Sequence, residues 1–142
     1  MITCTRKFEF DAAHRVRNHA SKCKMLHGHR YVVEVTFSIP ELDELGMVVD
    51  FSIIKERLGD WIDKHWDHTA ILIKDDKELG RSLAEYTGQE VYYMHENPTA
   101  ENIAKYLLHD ICPKLFTDIK GLSCIKVRLY ETPNCYAEAT IS

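Results

Sequence analysis

The sequence lacks any apolar run near the ~18 residues needed to cross a bilayer, so no membrane span is expected. Its first residues, Met1-Ile-Thr-Cys-Thr-Arg-Lys, hold no apolar signal core, and a cytoplasmic protein is the expectation. The 5 cysteines are an odd number, and without an export signal a disulfide framework is not expected. Positive charge is scarce overall: the formal net charge is −4, which argues against broad nucleic-acid binding. Ser/Gly-rich linkers, low-complexity tracts and internal repeats are missing, so the 142 residues read as one domain, 1–142. The rest is ordinary for a globular chain: 45% apolar and 28% charged residues, enough for a core without staples.

One local absence is informative. Between Ala12 and Val33 there is no acidic residue, while Arg15, Arg17, Lys22, Lys24 and Arg30 are all cationic. A positive field inside an acidic protein suggests a small anionic ligand, although a solvated basic loop has the same composition.

Alternation places Ile2, Cys4, Phe8 and Phe10 on one strand face, and Tyr31, Val33, Val35, Phe37 and Ile39 on another. A helix starting near Asp50 or Ser52 carries Phe51, Ile54, Leu58, Trp61 and Ile62 on its apolar face and ends near His65. A second helix spans about 75–86 with Gly88 just beyond it, and a short strand covers 90–94. Pro98-Thr99 opens a third helix that buries Ile103, Leu107, Ile111 and Leu115, limited or bent by Pro113. Strands follow at 125–130 and 136–141. This order predicts an α+β fold with an antiparallel sheet covered on one face.

His27-Gly28-His29 is the sharpest cluster. On a strand, residues i and i+2 share a face about 6.6 Å apart, so both imidazoles can converge on one metal ion. His14 continues the phase of Phe8 and Phe10 and adds a third nitrogen if the two strands pair. Three histidines with an open fourth position suit a catalytic zinc. The plainer alternative is three partly exposed histidines beside an anion site. Cys23, four residues before His27 in a polar setting, fits either a fourth ligand or a free thiol activated by Lys22 and Lys24. Asp67-His68 pairs a carboxylate with an imidazole, or else is only a helix-end histidine. Glu131 continues the inward phase of Ile125, Val127 and Leu129, and a glutamate there needs a partner unless the strand ends first. Glu101, in a first helical turn after Thr99, is explained by the helix dipole alone.

Taken together, Phe10-Asp-Ala-Ala-His14, Cys23-Lys-Met-Leu-His27-Gly28-His29, Val49-Asp50-Phe51, Asp67-His68, Pro98-Thr99-Ala100-Glu101-Asn102 and Tyr130-Glu131-Thr132 occur in a recognisable order. The chain resembles the 6-pyruvoyl-tetrahydropterin synthase / 6-carboxy-tetrahydropterin synthase family. That resemblance implies a tunnelling fold: an antiparallel four-stranded sheet with helices packed on one face, joined between subunits into an oligomeric barrel. It implies a homo-oligomer, commonly a hexamer, with sites at subunit boundaries. It implies Zn2+ held by His14, His27 and His29, and Cys23 as the proton-abstracting thiolate. It further implies Asp67 and His68 as a proton relay, and Glu131 as the carboxylate that grips the pterin and is counted with the relay. Thr99 and Glu101 match residues lining the pterin pocket.

The implied substrate is 7,8-dihydroneopterin triphosphate, whose phosphates the basic stretch from Arg15 to Arg30 could attract. The leading expectation is a lyase that yields 6-carboxy-5,6,7,8-tetrahydropterin, acetaldehyde and triphosphate on the route to 7-deazaguanines and queuosine. The alternatives are a 6-pyruvoyl-tetrahydropterin synthase, a structural zinc domain with Cys23 as fourth ligand, and a pterin-binding scaffold without chemistry. Two departures from the family pattern stand out. Ile71-Leu72 follows Asp67-His68-Thr-Ala where Leu-Asn is usual, and the segment 74–95 is long with its own helix. No glutamate lies between Cys23 and His27, which disfavours an aldolase-like variant.

Overall fold

A computed structural model describes residues 1–18 and 20–141. The first two strands, β1 (Thr3–His14) and β2 (His27–Ser38), form a long antiparallel pair. A continuous helix, α1, covers residues 51–65, with a wider π-type stretch at Lys55–Gly59. Then come β3 (Thr69–Ile73), α2 (Lys77–Thr87) and β4 (Val91–Met94). A second continuous helix, α3, covers residues 100–115 and precedes β5 (Ser123–Thr132) and β6 (Cys135–Thr140).

The α+β class holds, but the sheet does not have four antiparallel strands. It has six, in the order β4-β3-β1-β2-β5-β6, and it is mixed: β1 with β3 and β3 with β4 are parallel. The parallel pairs come from β3, which the periodicity did not signal. Thr69, Ala70, Ile71 and Leu72 are buried in succession, as expected of a strand covered on both faces, so no alternation marks it. Nor are the helices confined to one face. Tyr92 packs against Trp61, Trp66 and Tyr106 on the α1/α3 side. Its neighbour Tyr93 leaves the other face, where its hydroxyl fills the space beside Gly80 of α2.

The core lies between the sheet and α1 with α3. Phe10 stacks on Tyr31 at 5.0 Å between ring centres, and Trp66 closes over Phe10 at 5.5 Å. Ile54, Leu58 and Ile62 of α1 and Ile103, Leu107 and Ile111 of α3 are buried against them. Each such side chain contributes about 1.5–3 kcal/mol when taken from water. Phe51 departs from the expected face and is 50% exposed. Asp50 caps α1, its Oδ1 accepting from the Ser52 amide at 2.8 Å. Pro113 is tolerated in α3 because a π-type stretch, Leu107–Ile111, widens the turn just before it, and the helix ends two residues later.

Candidate active site

The register of β1 and β2 sets His14 opposite His27 and Ala12 opposite His29. Side chains opposite one another in a ladder leave the same face, so all three imidazoles converge. Their ligating nitrogens lie within 4.8 Å of one another. His14 is buried and His27 and His29 are half-buried.

The second nitrogens decide what this cluster presents. His14 Nδ1 donates to the Pro98 carbonyl at 2.6 Å, and His27 Nδ1 donates to the Met25 carbonyl at 2.7 Å. A carbonyl only accepts, so both Nδ1 atoms carry the proton. Burial, against the Pro98 contact and aided by the neighbouring imidazoles, pushes His14 down to about 4, so it is neutral near pH 7. His14 Nε2, left with its lone pair, therefore faces His27 Nε2 at 3.1 Å. Glu131 adds a carboxylate oxygen 3.3 Å from His14 Nε2 and 3.5 Å from His29 Nε2. Imidazole nitrogens and a carboxylate converging on one point fit a cation, and backbone acceptors behind the imidazoles are the usual support of a metal site. His14, His27 and His29 could hold a metal ion here.

Glu131 thus points inward as its phase requires. It sits where the β5–β6 register shifts between Tyr130 and Thr132, and such a bulge re-aims a side chain at a strand end. Cys23 stands on a short turn, Lys22–Lys24, between β1 and β2, half-buried, with its carbonyl held by the Val16 amide at 2.7 Å. Its sulfur is not part of the group formed by the three imidazoles.

Asp67 and His68 do bond each other, Oδ2 to Nδ1 at 3.0 Å. His68 has φ 63°, a left-handed conformation that turns its ring back onto its neighbour. The turn is held by three contacts. His68 N donates to Asp11 O at 2.6 Å, Asp11 N donates to Asp67 Oδ1 at 2.9 Å, and Gln89 Nε2 donates to His68 O at 3.0 Å. Burial alone would raise the Asp67 carboxyl, but the Asp11 amide and His68 outweigh it and hold it below the usual range. Asp11 joins Asp67 and His68 as a second compact group, tied to Arg30 at 2.9 Å. Asp11 and Arg30 are out of phase with His14 and His29, so this group lies across the sheet from the imidazoles.

Thr99 caps α3, its Oγ1 accepting from the Asn102 amide at 3.1 Å. Glu101 is exposed in the first turn of that helix. The basic stretch is largely committed. Arg15 grips Asp76, Arg17 Nη1 donates to Asp75 O at 2.7 Å, and Arg30 pairs with Asp11. Among the described residues, Arg15 and Arg30 are the cations of that stretch that form ion pairs, and Arg17 is held by a backbone carbonyl. The contacts of Asp11, Gln89 and Asp76 carried no signal in the sequence, because each partner is remote along the chain, and Arg30 was legible only as part of the basic stretch.

The profile of 6-pyruvoyl tetrahydropterin synthase matches residues 3–141. The chain belongs to this family. It is 51% identical over 138 residues to the 6-carboxy-5,6,7,8-tetrahydropterin synthase of Rickettsia conorii, covering 97% of this chain and 99% of that one. It is 31% identical over 144 residues to the enzyme of the same name from Haemophilus influenzae, covering 97% and 98%. Among solved structures, an uncharacterized protein of Wolinella succinogenes superposes with a TM-score of 0.82 at 22% identity, covering 99% of this chain and 98% of that one. The Caenorhabditis elegans 6-pyruvoyl tetrahydropterin synthase superposes with a TM-score of 0.68 at 25% identity, covering 99% and 96%. Family membership makes a pterin synthase the frame in which the two side-chain groups are read.

Proposed function

We propose that this chain is a zinc-dependent 6-carboxy-5,6,7,8-tetrahydropterin synthase. It converts 7,8-dihydroneopterin triphosphate to the 6-carboxy product with release of acetaldehyde and triphosphate, in the cytoplasm, on the route to 7-deazaguanines and queuosine. The observation that carries this reading is the convergence of the His14, His27 and His29 ring nitrogens within 4.8 Å of one another with the Glu131 carboxylate beside them, a donor set that suits a cation. The relatives' shared name supports the product.

His14, His27 and His29 would hold the ion. Bound zinc supplies Lewis-acid polarisation of the substrate's side-chain oxygens. The Cys23 thiolate removes a carbon-bound proton of the side chain. His68, oriented by Asp67, moves a proton on the other side of the substrate. Glu131, 30% exposed, keeps its open side for the pterin's 2-amino group and ring N–H. Thr99 and Glu101 line the pocket at the start of α3. The Asp67–His68 group and the imidazoles lie on opposite faces of β1 and β2, which supports a site completed by a second copy and hence a homo-oligomer, a hexamer in this reading.

The test is incubation of zinc-loaded protein with 7,8-dihydroneopterin triphosphate under anaerobic conditions, with products read by mass spectrometry. 6-Carboxytetrahydropterin with acetaldehyde is expected. 6-Pyruvoyl-tetrahydropterin without acetaldehyde would move the protein to the other branch of the family. Intact substrate would remove the catalytic roles of Cys23 and His68.

A further inference from the structure

The segment that follows β3 meets the loop that carries Cys23. Asp76 stands at the N-terminal cap of α2, yet its side chain bonds none of that helix's amides. It is 4% exposed and is given instead to Arg15, in a two-point contact whose longer bond runs from Nε to Oδ2 at 2.7 Å. Asp75 contributes its carbonyl to Arg17 Nη1 at 2.7 Å. Asn97 closes the other side, its Oδ1 accepting from Arg17 N at 3.0 Å and its Nδ2 donating to Arg17 O at 3.1 Å. Between the two arginines, Val16 N donates to Cys23 O at 2.7 Å. The Cys23 turn itself buries none of its residues, so packing does not hold it. A helix that gives up its own side-chain cap uses that carboxylate elsewhere.

We infer that Asp76 is a positioning residue for Cys23: by clamping Arg15 it fixes Val16, whose amide holds the Cys23 backbone, so the long 74–95 segment braces the cysteine loop. The catalytic meaning of this brace rests on the reading of Cys23 as the proton-abstracting thiol, but the brace itself can be tested without turnover. Bidentate guanidinium–carboxylate pairing fixes direction as well as distance, which suits a brace.

The measurement is alkylation by iodoacetamide, followed at each cysteine by peptide mass spectrometry in the full-length metal-loaded protein. Exposed Cys135, on the β5–β6 hairpin, is the internal reference. In Asp76→Asn the half-buried Cys23 thiol is released, and its alkylation rate relative to Cys135 rises several-fold. Zinc content stays at the wild-type value, kcat falls by about tenfold or more, and KM changes little, as for a misplaced reacting group. Asp76→Glu restores part of both. If Asp76→Asn is poorly folded, the charge-swapped Arg15→Asp/Asp76→Arg protein replaces it and should return the Cys23 rate toward wild type relative to Arg15→Asp alone. A Cys23 to Cys135 ratio that is unchanged or lower in folded Asp76→Asn overturns the inference. So does a loss of zinc in proportion to activity, which marks a purely structural contact. If wild-type protein turns over no pterin but the ratio still rises, the brace stands and the functional reading falls.

Discussion

His14, His27 and His29 stand on two long paired strands, whereas Cys23 stands on a three-residue turn and His68 on a residue with φ 63°. The strand-borne imidazoles take their positions from the ladder: once Phe10 and Tyr31 are buried opposite one another, the next in-phase residues must converge. The turn-borne groups have no ladder behind them. They are aimed by contacts to remote residues: Arg15 with Asp76, Asp11 with Asp67, and Gln89 with His68. A metal tolerates little error in ligand spacing, and rigid elements supply that precision. Groups carried on turns are fixed instead by side-chain clamps, at the cost of dependence on single residues.

His27→Ala strikes the strand-borne group and carries the largest expected effect. Zinc affinity should fall by more than the ~10–100-fold typical of losing an outer-shell partner, and turnover should fall to background. Titration with a zinc chelator measures the first, and full retention of zinc would break the comparison at its base. Cys23→Ala strikes the turn-borne group. Its kcat should fall by about 10²–10⁴-fold while one zinc per chain remains bound. Loss of zinc would instead make the thiol a fourth ligand. Asp67→Asn removes the carboxylate that orients His68 and should lower kcat by about 10²-fold with metal content unchanged.

The clamp also predicts a pH effect. Arg15 holds the Asp76 carboxyl below its usual range. Its folded value lies below its unfolded value of ~3.9, so the stabilisation is complete above that pH and is lost as pH falls through the folded value. Melting temperatures of wild type and Asp76→Asn should therefore differ near neutrality and converge in strong acid. The smallest effect is expected for Thr99→Ala, which removes the α3 cap and should cost about 1 kcal/mol in urea unfolding without altering zinc binding. A selective rise in KM there would add pterin contact to capping.

Much of this was legible in the chain. Alternation placed β1, β2 and β5, and three- and four-residue steps placed α1 and α3. The His-Gly-His triplet with an in-phase His14 located the imidazole cluster. Glu131 was readable because its phase set a carboxylate inward. β3 was not readable, since a strand buried on both faces shows no alternation. The committed state of the basic stretch was equally hidden, because the Asp76 carboxylate that meets Arg15 lies 61 residues away.

By itself, then, the order of residues determined the α+β class, the two long strands and the residue types of both side-chain groups, because periodicity and spacing are local properties. Tertiary structure decided three other things: the mixed six-stranded sheet, the opposite faces on which the imidazoles and the Asp67–His68 pair lie, and the use of Arg15 as an anchor rather than a free cation. Each depends on which distant segments pair, and that is settled by the burial of the whole core rather than by any stretch of sequence alone.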